Sequence, residues 1–241
     1  MLSGHKVSLM QYLVLYLQGP LQAWGADSKF DLRETLPYPT KSGIYGMLLA
    51  ASGDSGSQTE LLAGMAPAPM SVFTFKSKAD TSGRLRDFHM VGNGFKENDK
   101  WQSLMIPRKS DGAKAVGGGA KLTYRYYLLD KTFAVLLEFP DDLADKFASA
   151  LADPVYDLYL GRKCCAPTAL IFQGKFASEA EAMQKIRALA ERDELSPVMR
   201  IREIDSQQPD SILLNDVPVA FGPHKVYRDR WVVEEPFCWD Q

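Results

Sequence analysis

The residues in this chain best suited to chemistry are cations set beside glycines and aromatic rings, and what they suit is recognition of a nucleic-acid backbone. Tyr159-Leu160-Gly161-Arg162-Lys163 puts a glycine ahead of two cations, just after a predicted helix and the Pro154 turn. Backbone amides freed by a glycine turn, with Arg and Lys adjacent, fit a phosphodiester; a solvated basic turn would use the same residues. Thr40-Lys41-Ser42-Gly43 opens a predicted helix, so its N–H groups and the Lys41 and Ser42 side chains could hold a phosphate. Capping alone also accounts for Thr40, and the glycine that precedes the lysine loop in a Walker motif is missing. From Arg84 to Arg125 the cations Arg84, Arg86, Lys96, Lys100, Arg108, Lys109, Lys114, Lys121 and Arg125 interleave with Phe88, Phe95, Trp101, Tyr124 and Tyr126. Charges for phosphates and ring faces for unstacked bases are what single-stranded RNA binding needs. A solvated hairpin with its own small core is the plainer alternative. Trp24, in a turn bounded by Gly and Pro, serves packing or stacking.

Catalytic groups are sparse. His5 lies near the terminus and His224 in the turn Gly222-Pro223-His224, leaving His89 in Leu85-Arg86-Asp87-Phe88-His89 as the acid/base candidate. Beside Arg86 and tyrosines it could activate a ribose 2′-hydroxyl without a metal; a histidine that only hydrogen-bonds RNA or packs within the segment is the simpler reading. The chain carries no HxxEH set, GxSxG elbow or paired-carboxylate signature. Cys164, Cys165 and Cys238 are odd in number and include an adjacent pair, a poor start for a disulfide framework or a zinc knuckle. No metal or cofactor is expected.

The elements that must position these residues belong to a globular protein. Its 241 residues are 46% hydrophobic and 24% charged, which excludes disorder as the default. No run reaches the roughly 18 apolar residues of a membrane span, and the first ten residues lack the apolar stretch of a secretory signal, so a cytoplasmic protein is expected. The net charge of −2 hides a division: residues 76–131 carry 12 Lys/Arg against 6 Asp/Glu, whereas residues 132–241 carry 12 against 19. A basic middle segment sits on an acidic body.

Tyr12 to Leu17 reads as a first strand, Lys41 to Ala51 as a helix with Ile44, Leu48 and Ala51 inward, and Met70 to Lys76 as a strand with Phe73 and Phe75 on one face. The glycine-broken polar stretch from Arg84 to Arg125 reads as an extended β-arm. Thr132 to Phe139 reads as a buried strand, Asp141 to Ala152 as a helix with Leu143, Phe147 and Leu151 inward, and Thr168 to Gln173 as a closing strand. This predicts an α+β, ferredoxin-like βαββαβ unit over residues 1–175, with the basic arm between its second and third strands. Residues 176–241 add a helix opened by the capping box Ser178–Glu181, with Met183, Ile186, Leu189 and Ala190 inward, then a β-rich appendage.

Four motifs, in order, resemble one family. They are Tyr12 to Gly25 (YLVLYLQGPLQAWG), Pro39 to Leu48 (PTKSGIYGML), Leu85 to His89 (LRDFH) and Tyr159 to Cys165 (YLGRKCC). Together with Asn215 to Pro218 and Tyr227 to Trp231, they are similar to the CasD family, a subunit of the type I-E CRISPR surveillance complex Cascade. The resemblance implies a RAMP-type protein: an RRM-like core, a thumb hairpin over about residues 84–125, and a small β-rich C-terminal part. It implies a non-catalytic clamp on the 5′ handle of the CRISPR RNA that contacts the CasC-type backbone subunit, the CasA-type large subunit and other Cascade subunits. Target DNA would be met only indirectly, and no membrane is involved. A sister group in type I-C systems cuts the precursor itself, which keeps a metal-independent endoribonuclease using His89 as the alternative. On this basis the RNA-binding residues expected are Gln22, Trp24, Lys41, Ser42, Arg84, Arg86, His89, Arg108, Lys109, Arg162 and Lys163.

Overall fold

A computed structural model describes residues 9–25, 31–78, 83–91, 98, 108–113 and 121–239. Lys96, Lys100, Phe95, Trp101, Lys114 and His5 lie outside the described residues. The architecture is mixed α+β, dominated by one antiparallel sheet. Its elements in chain order are β1 (Met10–Gln22), β2 (Leu32–Arg33), α1 (Lys41–Ser52), α2 (Thr59–Met65), β3 (Met70–Ser77), β4 (Arg84–Val91), β5 (Lys121–Pro140), α3 (Asp141–Ala152), β6 (Phe172–Phe176), α4 (Glu179–Arg192), β7 (Leu195–Ile204), β8 (Ser211–Ala220) and β9 (Val226–Pro236). The strand order is β6-β1-β5-β3-β7-β9-β8, with β2 and β4 flanking the first half of β5.

Strands β1 and β5 pair antiparallel from Met10↔Pro140 to Gln22↔Leu128, and β3 lies on the other side of β5. Both faces of this centre are covered. Leu13, Leu15, Leu17, Phe133, Val135, Leu137 and Phe139 pack against Ile44 and Leu48 of α1 and Phe147 of α3. Val14, Tyr16, Phe73, Phe75 and Leu136 pack against Ile186 and Leu189 of α4. Double coverage explains why YLVLYL is an unbroken apolar run rather than an alternating one. Each such side chain contributes about 1.5–3 kcal/mol of burial.

Helix α1 begins at Thr40, whose hydroxyl accepts from Gly43 N–H at 3.1 Å, and ends at Gly53 in the left-handed conformation, φ 73°. Helix α4 begins at Ser178, whose hydroxyl accepts from Glu181 N–H. Three details depart from the sequence reading. Helix α2 is unanticipated, since only Leu62 and Met65 of its seven residues are buried and no periodicity shows over so short a span. The closing strand β6 starts at Phe172 rather than Thr168; within it the ladder to β1 shifts register between Val14 and Leu15, where Gly174 takes φ 138°. The C-terminal strands continue the main sheet, since β7 pairs antiparallel with β3 from Ser71↔Arg202 to Ser77↔Leu195.

Beyond α4, Asp193 ties the helix to the sheet. Its Oδ2 accepts from Tyr16 Oη at 2.7 Å, and Arg192 donates to both its oxygens. The Arg192 hydrogen bonds, and then that of Tyr16, hold the Asp193 carboxyl below its ordinary value. A carboxyl depressed on folding stabilises above its unfolded pKa of about 3.9, and that contribution is lost as pH falls through the folded value. Asp193→Asn is expected to cost about 1 kcal/mol at pH 7. The difference from wild type should shrink as pH falls through the depressed value of this carboxyl, as read by urea unfolding at about pH 7 and across the acid range.

Candidate nucleic-acid interface

The positions singled out by sequence fall into an internal brace, a groove and a two-stranded ladder. Lys41 belongs to the brace. Its side chain is 0% exposed, and Nζ donates to Ala66 O (3.2 Å), Ala68 O (2.7 Å) and the Glu203 carboxylate (2.8 Å). An ammonium has three donors, so none is left for a phosphate. Burial pulls its pKa down, opposed by the Glu203 charge. Two amides of the first turn of α1 are spent as well: Lys41 N–H donates to Asp216 Oδ2 at 2.7 Å and Gly43 N–H to Thr40. Asp216 is in turn held by Arg230 through Nε (2.6 Å) and Nη2 (2.9 Å), and Arg230 Nη1 reaches Glu203 at 3.4 Å. This corrects the phosphate role expected of Lys41: a carboxylate from β8 already occupies that position.

Gln22 and Trp24 are also fully buried, which corrects their expected direct contact with RNA. Gln22 Nε2 donates to Leu17 O and to Lys131 O, and its Oε1 accepts from Trp24 Nε1 at 3.1 Å. The Trp24 ring lies against Gly43, where a Cβ would come within 2.9 Å of Cε3. Lys131 follows Asp130, whose φ of 48° marks the point where β5 passes from the ladder into the core. These two residues therefore fix the relation between the end of β1, α1 and the root of the ladder.

Trp24, Ser42 and Gly161 meet in one groove of about 620 Å³, together with Tyr159, Asn215, Phe221, Lys225 and Tyr227. Ser42 is half-buried there, its hydroxyl 3.3 Å from Thr40 Oγ1. The glycine loop is sewn to β1 by Ala23 N–H donating to Leu160 O at 3.0 Å and closed by Leu160 N–H to Cys165 O at 2.8 Å. Gly161 has φ 95°, and a Cβ there would run into the Ala23 carbonyl oxygen. Arg162 points to the ladder: its guanidinium donates to Tyr126 O (3.0 Å) and Arg33 O (2.9 Å) and lies 4.7 Å from the Tyr127 ring centre. Lys163 is exposed. Burial, reinforced by Cys164, pushes the Cys165 thiol up to about 12, so it is no nucleophile.

In the ladder, β4 pairs with β5 from Arg84↔Leu128 to Val91↔Lys121. Alternation puts Arg84, Arg86 and Phe88 on one face with Tyr124 and Tyr126. The Arg86 guanidinium sits 5.3 Å from the Tyr124 ring centre, and the Phe88 and Tyr124 rings are 5.5 Å apart. Arg84 and Arg86 are exposed, and Phe88 is 55% exposed. His89 faces the other way, 3.7 Å from Asp87. Arg108 and Lys109 are exposed on a turn in which Arg108 Nη1 donates to Gly112 O. Sequence reasoning missed the groove wall supplied by Asn215, Phe221, Lys225 and Tyr227, because those residues follow Ser42 by more than 170 positions.

Fold and interface together define a class: an α+β protein whose antiparallel sheet carries a basic, aromatic ladder beside a glycine-loop groove. A family profile described as CRISPR-associated protein (Cas_Cas5) matches residues 12–233. The CRISPR system Cascade subunit CasD of Escherichia coli (strain K12) is 28% identical over 175 residues, 69% of this chain and 71% of CasD. A chain of a solved CRISPR RNA-guided surveillance complex superposes with a TM-score of 0.69 at 27% identity, covering 94% of this chain and 90% of that one. A second, titled crystal structure of Cas protein, gives 0.58 at 25% identity, covering 94% and 95%. The chain belongs to the CRISPR-associated Cas5 family and is a relative of CasD.

Gly161→Ala should destabilise the chain by on the order of 2–3 kcal/mol, since both the backbone conformation and the space favour glycine. Chemical unfolding measures it; a midpoint equal to wild type would contradict the packing described for this loop.

Proposed function

We propose that this chain is a non-catalytic RNA-binding subunit of a Cascade-type CRISPR surveillance complex, holding the 5′ handle of the CRISPR RNA. The observation that carries the reading is a family match over nearly the whole chain, whose curated relative is a Cascade subunit. On this reading β6-β1-β5-β3, joined through α1 and α3, form the ferredoxin-like, RRM-like unit of residues 1–175. Residues 84–125 are its thumb, and residues 176–241 its C-terminal part.

The cationic face of Arg84 and Arg86, with Phe88 and Tyr124 as ring surfaces, supplies phosphate and base contacts. Arg108, Lys109 and Lys163 add exposed charge, Ser42 a hydroxyl in the groove, and His89 a hydrogen-bonding ring on the opposite face. Arg162 keeps the ladder root in place and adds its charge there. Gln22, Trp24 and Lys41 act through the scaffold. The acidic remainder limits indiscriminate adhesion to nucleic acid. Partners are a CasC-type backbone subunit and a CasA-type large subunit, in the cytoplasm.

The test is binding of the full chain to labelled CRISPR RNA with and without its handle, in chelator, followed by a denaturing gel. Handle-dependent binding of uncut RNA is expected. The Arg84→Ser/Arg86→Ser double variant should bind more weakly, with a salt slope smaller by about 0.7 for each phosphate no longer neutralised. Cleavage that disappears in His89→Ala would instead make the chain a metal-independent endoribonuclease. Absence of handle preference together with an unchanged salt slope would refute the clamp.

A further inference from the structure

Two glycines of α1 line the groove, and they are there for different reasons. Gly43 is required by packing, because a Cβ would press into Trp24. Gly46 is not: a Cβ there would meet only Phe221 Cζ, at 3.9 Å, an ordinary contact. A glycine in the middle of a helix is a net cost relative to alanine. Packing gives no reason to bear that cost, whereas depth in the groove does, since any side chain at 46 would fill the space between α1 and Phe221.

The walls say what enters. Tyr159 comes from the glycine loop, and Phe221 and Tyr227 from the β8–β9 hairpin; with Trp24 they set four aromatic residues around a stretch of α1 opened by Gly43 and Gly46. Ser42 brings a hydroxyl. Asn215, whose Nδ2 donates to Asp229 at 2.6 Å, keeps its Oδ1 as an acceptor. A phosphate is poorly served here: the Lys41 and Gly43 amides are occupied, and Asp157 lines the groove. A neutral, planar group with hydrogen-bonding edges is well served. Lys225 is exposed at the same groove, where it can meet a phosphate left outside.

We infer that this groove takes one unpaired nucleobase of the bound RNA, with Gly46 providing the depth and Tyr159, Phe221 and Tyr227 the apolar surface. The inference rests on the RNA-binding reading above and specifies where that reading places a base.

The probes are a single-stranded CRISPR RNA with its 5′ handle and a set in which each handle base in turn is replaced by an abasic ribose, titrated against the full chain. One abasic position should weaken wild type about 10-fold. Gly46→Met should bind the intact RNA about 10-fold more weakly with an unchanged salt slope, and show no additional weakening at that abasic position. Tyr227→Leu, which keeps apolar volume without a ring, should reduce the same abasic penalty. Gly46→Ala should raise the thermal midpoint; a lowered midpoint would mean that packing needs the glycine and would overturn the inference. Normal RNA affinity and an intact abasic penalty in both Gly46→Met and Tyr227→Leu would overturn the groove inference while leaving the RNA-binding reading standing. Failure of wild type itself to bind the handle RNA would overturn both.

Discussion

Everything at the interface depends on a buried ion network: Lys41, Glu203, Arg230 and Asp216, two cations and two carboxylates in mutual contact. Such a network gains little over well-packed apolar residues, but breaking it strands a charge in the interior. Its value here is geometric. It joins the first residue of α1 to β7, β8 and β9, so the N-terminal half of the chain and the C-terminal strands are registered at one point. Asp216 satisfies an N–H at the start of α1 that helix geometry leaves open, with a charge of the sign that end of the helix prefers.

From that point the positions propagate outward. With α1 fixed, Gly43 receives the Trp24 ring; Trp24 orients Gln22; Gln22 bonds Lys131 beside the Asp130 turn where the ladder begins. Arg162 closes the circuit by spanning Tyr126 and Arg33 from the glycine loop. The result is a basic, aromatic ladder held at a set angle to a groove, while the acidic residues of the C-terminal third are kept on the body. That arrangement lets a protein of net charge −2 present cations locally to an RNA.

Much of this frame was legible in the sequence, and the reasons are local. Ile44, Leu48 and Ala51 recur at helical spacing, Thr40 and Ser178 are caps, and β1 and β5 are apolar runs too continuous for an exposed strand. The ladder's opposed cations and rings were also visible as interleaved types. What was hidden depends on distance along the chain. Lys41 looks like a surface lysine at a helix start, because its partner Glu203 lies 162 positions away. Gln22 and Trp24 are expected at the RNA only through the family resemblance, yet the polar edge of each is bonded inside. The pairing of β7 with β3 leaves no local trace, and the groove wall from β8 and β9 is a product of that pairing.

The most direct test of the brace is Lys41→Ala, measured twice: by chemical unfolding and by the salt dependence of binding to handle-bearing CRISPR RNA. The brace predicts a stability loss of about 3 kcal/mol. It also predicts a salt slope equal to wild type under conditions where the variant is folded. A variant as stable as wild type, with a slope smaller by about 0.7, would mean that Lys41 faces the RNA and would contradict the brace.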